Sequence, residues 1–475
     1  MAMRGTSIVT ACAVIALRFA FCCYRAATQS VTHDEAYTFL RFADGPFWRV
    51  YSTFDANNHV LNTMLMWVPV HVFGLSAFAM RLPSLAGGLA LTVGCFFLLK
   101  DVRSAAFRWV AFLAICLNPM LLDFSVAARG YSLALAFFVW ALWFLMRGSP
   151  AMAGALLGCA ASANLAMAFP VLAVVGAAAL AAPGSVRERW RTVREALVYA
   201  IAVFAVVCFG ALRTAHLSQF YDGMPTLKAA VLELMFTSIH ARPDHTGLFG
   251  SIETARVIAY YLLPLAAAIM LWLTPRIWRE DWRKAIPPAS LAVTIAGLIV
   301  AHKVFGLVYP TARTCLYAVV LTAWAWAVAG DAIRNRVTRG VWLAAGVILA
   351  VQFAMQIQGR YFQIWWLQAD EKQMAQAIAD WGRGRADGSV AVETFWIHQP
   401  SLEFYRKSMG IRALKPVERR DEVTLEGHDV YIVSEGALDR ARTAPGFRAI
   451  YADMKIGVMV LVEWPVAGGI DRAVK

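Results

Sequence analysis

Residues 33 to 37 read His-Asp-Glu-Ala-Tyr and place two adjacent carboxylates, Asp34 and Glu35, a few residues beyond the first long apolar run. Ionised groups beside hydrocarbon are costly unless hydrated or paired, which makes them functional candidates. A carboxylate at a bilayer edge can take the proton of an attacking hydroxyl. An acidic helix cap beside an interfacial tyrosine fits the same five residues. A second acidic residue, Asp123, is followed by Arg129-Gly130-Tyr131. Arg129 snorkelling to the interface and pairing with Asp123 is the plainer reading of that stretch. The cations Arg81, His302, Lys303 and Arg313 are of the type that holds a phosphate, through guanidinium forks and ammonium point charges. Each by itself also suits an interfacial anchor. His59, His216, His240 and His245, with Arg242 between the last two, have no metal-motif spacing, so they suit polar contacts to a sugar or phosphate better than a metal site.

The elements that must position these residues are membrane helices. With 60% hydrophobic and 16% charged residues over 475, and a mean hydropathy of +0.56, the chain is too apolar for a water-soluble globule of its size. Apolar runs near 7–27, 81–99, 107–122, 131–147, 150–163, 165–182, 196–213, 252–274, 287–306, 314–330 and 340–357 predict about eleven transmembrane helices, each near the length that crosses a bilayer core. The first run lacks a small-x-small cleavage site and reads as an uncleaved helix. The stretch 59–78 is ambiguous, and charge arbitrates. If it lies along the outer surface, broken by Pro69 and Gly74, then Arg4, the cluster 100–108, Arg147, the cluster 187–194, the cluster 276–284 and the cluster 334–339 all fall on the cytoplasmic side. That threading predicts a cytoplasmic N-terminus and sends 28–80, 123–130, 214–250, 302–313 and everything after 358 outward. The net charge of +13 is thus a topology signal, and nucleic acid is excluded as a partner because no basic patch sits on a soluble element. All eight cysteines lie in or beside apolar runs, which argues against a disulfide framework. The composition changes near 359: helices are predicted over 371–381 and 400–408 and strands over 389–395, 429–434 and 456–463. The expected organisation is an all-α polytopic membrane domain, 1–358, and a small α/β soluble domain, 359–475.

Several short stretches resemble a known family. His33-Asp34-Glu35-Ala36-Tyr37 resembles the acidic motif in the first outer loop of GT-C membrane glycosyltransferases. Within that fold the group most similar comprises the protein O-mannosyltransferases, the aminoarabinose transferases and the Rgt-like proteins. Asn58-His59-Val60-Leu61, Gly74-Leu75-Ser76 and Arg81-Leu82-Pro83-Ser84 are similar to that group's His-Pro-Pro-Leu, Phe-Gly-x-Ser and Arg-Leu-Pro-Ser sequence. Asn118-Pro119 and Ala128-Arg129-Gly130-Tyr131-Ser132-Leu133 are similar to its second turn. The likeness covers roughly 30 to 135 and departs at Val60-Leu61, where the group has two prolines, and at Gly130, where it has one. It implies a GT-C-like domain with juxtamembrane helices in the first outer loop. The implied reaction is an inverting sugar transfer from a polyprenyl-phosphate donor to a lipid, glycan or protein acceptor on the outer, periplasmic face of the inner membrane. By the same resemblance Asp34 is the base; charge developing on the leaving phosphate calls for nearby cations, for which Arg129, Lys303 and Arg313 are the candidates, and Glu35 and Asp123 would orient hydroxyls. His59, Arg81, Tyr131 and His302 complete the substrate site. No metal or other cofactor is expected, because the phosphate leaves as a stable dianion. A transporter or flippase for lipid-linked intermediates, and a non-catalytic scaffold, are the alternatives from other classes.

Overall fold

A computed structural model describes residues 5–216, 219, 222–240, 247–249, 251–383, 389–434 and 438–463. Its contacts divide the chain into two compact units. The first holds Met1–Ala27, Gly45–Gly74 and Phe78–Gly359; the second holds Thr28–Asp44, Leu75–Ala77 and Arg360–Lys475.

The first unit is built of helices, and the chain is a multi-pass membrane protein. Among the described residues seven helices are long and apolar enough to cross a bilayer: Ser7–Thr28, Ala77–Leu99, Val186–Leu212, Ile252–Glu280, Trp282–Phe305, Ala312–Ala332 and Arg336–Met355. The shorter apolar helices Ala105–Leu117, Tyr131–Met146, Pro150–Ala163 and Leu165–Ala181 occupy the other expected span positions. Three local expectations need correction. The run 107–122 is not one helix. Asn118 is extended (ψ 122°), as a residue before proline prefers, and its side chain accepts the Leu121 N–H at 3.0 Å, so a separate helix, Pro119–Phe124, starts there. Asp123 therefore lies on that short helix and not in a turn. Pro69 does not break Val60–Phe73, because the buried stripe of Val60, Thr63, Met66 and Val70 outweighs one missing N–H; the helix stops at Gly74, whose φ is +87°. The second long helix begins at Ala77, leaving Arg81 and Pro83 inside its first turns.

Close backbone approach sets the turn that follows Asp123. A Cβ on Gly87 would stand 2.7 Å from the Leu133 backbone, and one on Gly88 would stand 2.6 Å from the Ser125 side chain. Small residues thus let Ala77–Leu99 lie directly against the start of Tyr131–Met146.

In the second unit a five-stranded sheet has the order β2-β1-β3-β5-β4, with β1 Val392–Phe395, β2 Glu418–Arg420, β3 Val430–Ser434, β4 Phe447–Asp453 and β5 Val458–Glu463. β1 pairs parallel with β2 and β3, while β5 pairs antiparallel with β3 and β4. The helices Glu371–Gly382 and Gln399–Ser408 match the predicted ones. β2 and β4 were not predicted: β2 is three exposed charged residues, and β4 lacks clean alternation, so neither carries a period-two signal.

Candidate functional site

In the second unit the acidic residues lie on a six-residue helix, His33–Thr38, closed at its start by a capping box. The Thr32 hydroxyl accepts the Glu35 N–H at 3.3 Å, and the Glu35 carboxylate accepts the Thr32 N–H at 2.9 Å. Glu35, fully buried, is therefore a cap. Asp34 is 8% exposed, and its carbonyl accepts the Thr38 hydroxyl at 2.8 Å. Of the two readings of this motif, the cap describes Glu35.

The helix is held from two flanks. On one, the His33 N–H donates to Gln368 Oε1 at 2.6 Å, and the Ser30 hydroxyl donates to the Ala369 carbonyl at 2.6 Å. On the other, the Val31 N–H donates to the Tyr405 hydroxyl at 2.8 Å, His33 Nδ1 lies 3.2 Å from the Ile397 carbonyl, and the Phe39 ring meets Phe404 edge-on at 5.8 Å.

In the first unit, His59, Arg129 and Tyr131 come together. His59 precedes Val60–Phe73, with Nδ1 3.1 Å from the Ala163 carbonyl and its ring 5.0 Å from that of Tyr131. Arg129, 2% exposed, sets its fork on Asn57, donating to the carbonyl at 3.1 Å and to Oδ1 at 2.8 Å. Burial, with Arg129 and Arg313 adding to it, holds the His59 imidazole well below its usual range although the Ala163 carbonyl pulls the other way. Arg313 belongs to this neighbourhood and donates to Asp222 at 2.8 Å. Glu233 accepts the Ala312 N–H at 3.1 Å; burial raises its pKa, against the pull of that amide and of Arg313. A cavity of about 390 Å³ opens beside Glu233, walled by Phe236 and by Lys228, whose ammonium lies 4.2 Å from the Tyr260 ring centre.

The remaining candidates are engaged differently. Asp123 pairs with Arg25 of the first span at 2.5 Å, side chains 7% and 2% exposed, a partner the sequence reading did not name. Arg81 is fully buried and donates to the Ala26 carbonyl at 3.1 Å. His302 turns Nδ1 to the Leu307 carbonyl at 2.8 Å, its ring 4.6 Å from Tyr309, while Lys303 is exposed. His240 is buried, ending Leu227–Ile239, and His216 lies in the preceding loop; Arg242 and His245 lie outside the described residues.

Sequence reasoning missed Arg18, Arg25, Asn57 and Glu233. Arg18 lies deep in the first span and donates to the carbonyls of Cys116, Gly88 and Leu121 and to the hydroxyls of Thr92 (2.9 Å) and Ser125 (2.8 Å). An arginine within a 22-residue apolar run was the available signal for it.

No protein-family model and no curated protein matches the chain. Among solved structures it is similar to ArnT from Cupriavidus metallidurans bound to undecaprenyl phosphate, at 14% identity and a TM-score of 0.49, covering 99% of this chain and 100% of that one. The same protein in the apo state aligns at 13% identity and a TM-score of 0.49, over 96% and 98% of the two chains. The arabinosyltransferase EmbB from Mycobacterium smegmatis aligns at 14% identity and a TM-score of 0.40, over 70% of this chain and 31% of that one.

Proposed function

We propose that this chain is an inverting glycosyltransferase that moves a sugar from a polyprenyl-phosphate donor to a hydroxyl of a lipid, glycan or protein acceptor at the outer face of the inner membrane. The observation that carries the reading is the buried Asp34 on a capped helix just after the first span, with the cap met by Glu35. The residue-level resemblance between 30 and 135 supports it. Asp34 takes the proton of the acceptor hydroxyl as its oxygen bonds to the anomeric carbon. The bond from that carbon to the phosphate oxygen breaks on the opposite face, which inverts the configuration. Charge collects on the departing lipid phosphate, and cations held ready for it lower the barrier. Arg129, Lys303 and Arg313 are assigned that task, with His59 and Tyr131 lining the sugar and Asp123 and Glu35 kept in place as orienting groups. The phosphate leaves as a stable dianion, so the chemistry does not call for a metal.

A transporter would place charges along a path through its spans. The in-span arginines Arg18 and Arg25 instead end on carbonyls, hydroxyls and Asp123, which supports the enzyme reading. The test is Asp34→Asn in membranes supplied with a polyprenyl-phosphate sugar. Transfer should fall at least ~100-fold, the scale of a lost general base, with insertion and expression unchanged. Full activity in that variant sinks the assignment.

A further inference from the structure

The bonds that hold the acidic helix run to two different segments of the chain. Gln368 and Ala369 lie just before Glu371–Gly382; Trp396, Ile397, Phe404 and Tyr405 lie on the stretch from the end of β1 through Gln399–Ser408. These two segments are joined by a direct side-chain bond. His398 Nδ1 lies 2.6 Å from Glu371 Oε1, and both side chains are fully buried. The position of each partner in the chain matters. Glu371 is three residues past Gln368, which takes the His33 N–H, and His398 is next to Ile397, whose carbonyl faces His33 Nδ1. Shifting either partner therefore shifts a bond to His33, the residue before Asp34.

We infer that the Glu371–His398 pair is the pin that locks the two flanks together and so sets the position of the Asp34 helix, which makes both of them positioning residues; this rests on the reading of Asp34 as the base. The ring has a second bond, its Nε2 lying 3.1 Å from the Ser434 hydroxyl at the end of β3. Carboxylate, imidazole and hydroxyl in that order resemble a charge-relay triad, but a general base must reach the proton it moves on a bound substrate. His398 is wholly enclosed and has both ring nitrogens engaged, so it serves as a strut between Glu371 and β3. Burial pushes the Glu371 carboxyl up, although His398 draws it down. A neutral amide in its place should keep the bond to the imidazole and remove the cost of an enclosed charge.

The test is amide hydrogen exchange on the full-length protein in lipid nanodiscs. Glu371→Ala should speed exchange in the segment 31–38 about tenfold or more while the amides of β5 stay as in the wild type, since a local opening is read separately from unfolding of the unit. Glu371→Gln should stay within about twofold of wild type there, because the hydrogen bond is retained. Unchanged exchange at 31–38 in Glu371→Ala overturns the inference, and so does equal acceleration of β5, which would mark the pair as general support for the unit. The two readings separate in the transfer assay. A fall in kcat at constant donor KM accompanies the exchange change if Asp34 is the base. Faster exchange with undiminished kcat upholds the pin and removes Asp34 from the chemistry.

Discussion

Buried ion pairs carry an asymmetry that the Arg25–Asp123 pair makes testable. Both partners are enclosed, at 2% and 7% exposure, so deleting one takes a counter-charge away from a buried ionised group. Arg25→Met should destabilise the membrane unit by about 3–5 kcal/mol, whereas Arg25→Met with Asp123→Leu should cost much less, since an apolar pair of similar volume removes both desolvation penalties. Chemical unfolding in detergent, followed by tryptophan fluorescence, reads both. Equal losses in the single and double variants would show that packing, and not the lost counter-charge, sets the cost. The pair shows that Asp123 faces a cation supplied by the first span. Both acidic candidates were visible from their types and from nearness to apolar runs. Their partners were not: nothing local distinguishes Arg25 from any other basic residue ending a span.

At the scale of elements, packing explains why position 130 is a glycine. Its φ of −69° would accept proline, so backbone conformation does not demand glycine. What demands it is the helix next door: a Cβ there would stand 1.9 Å from the Ala163 carbonyl oxygen and 3.1 Å from the His59 Cβ. Gly130→Ala must push the end of Pro150–Ala163 away from His59 and should cost about 1–3 kcal/mol as an overpacking change. The expected signature is a lower unfolding midpoint together with a raised donor KM, because the His59 and Arg129 contacts move with it. A variant with wild-type stability and KM would show that the turn relaxes freely. Helix positions were legible because apolar runs are local. The exceptions were places where a single residue overrode the run, as Asn118-Pro119 did in splitting 107–122, or where packing overrode a residue, as it did at Pro69.

For the whole molecule, the threading rests on the helix Val60–Phe73 lying along the surface, and it has a direct test. A cysteine introduced at Asp101 in a background freed of other cysteines should resist a membrane-impermeant thiol reagent applied from outside, as the positive-inside arrangement requires. Labelling there would mean that the 59–78 stretch spans the membrane and would move every later loop to the other side. The two compact units bear on the same point, because the loop Thr28–Asp44 clusters with Arg360–Lys475 and not with the span that precedes it. The tail thereby gains a task that its own sequence does not advertise, that of framing the acidic helix.

Composition, apolar runs and charge placement determined that this is a multi-pass membrane protein with a small α/β tail, and approximately where each helix and buried strand lies. They could do so because hydrophobic patterning acts over a few turns of one element. Tertiary structure alone decided which carboxylate became a cap, that Asp123 would face Arg25 98 residues away, and that His33 would be held by Gln368 and Ile397, 335 and 364 residues on. Those pairings are set by which surfaces bury each other, and that information is spread over the whole chain.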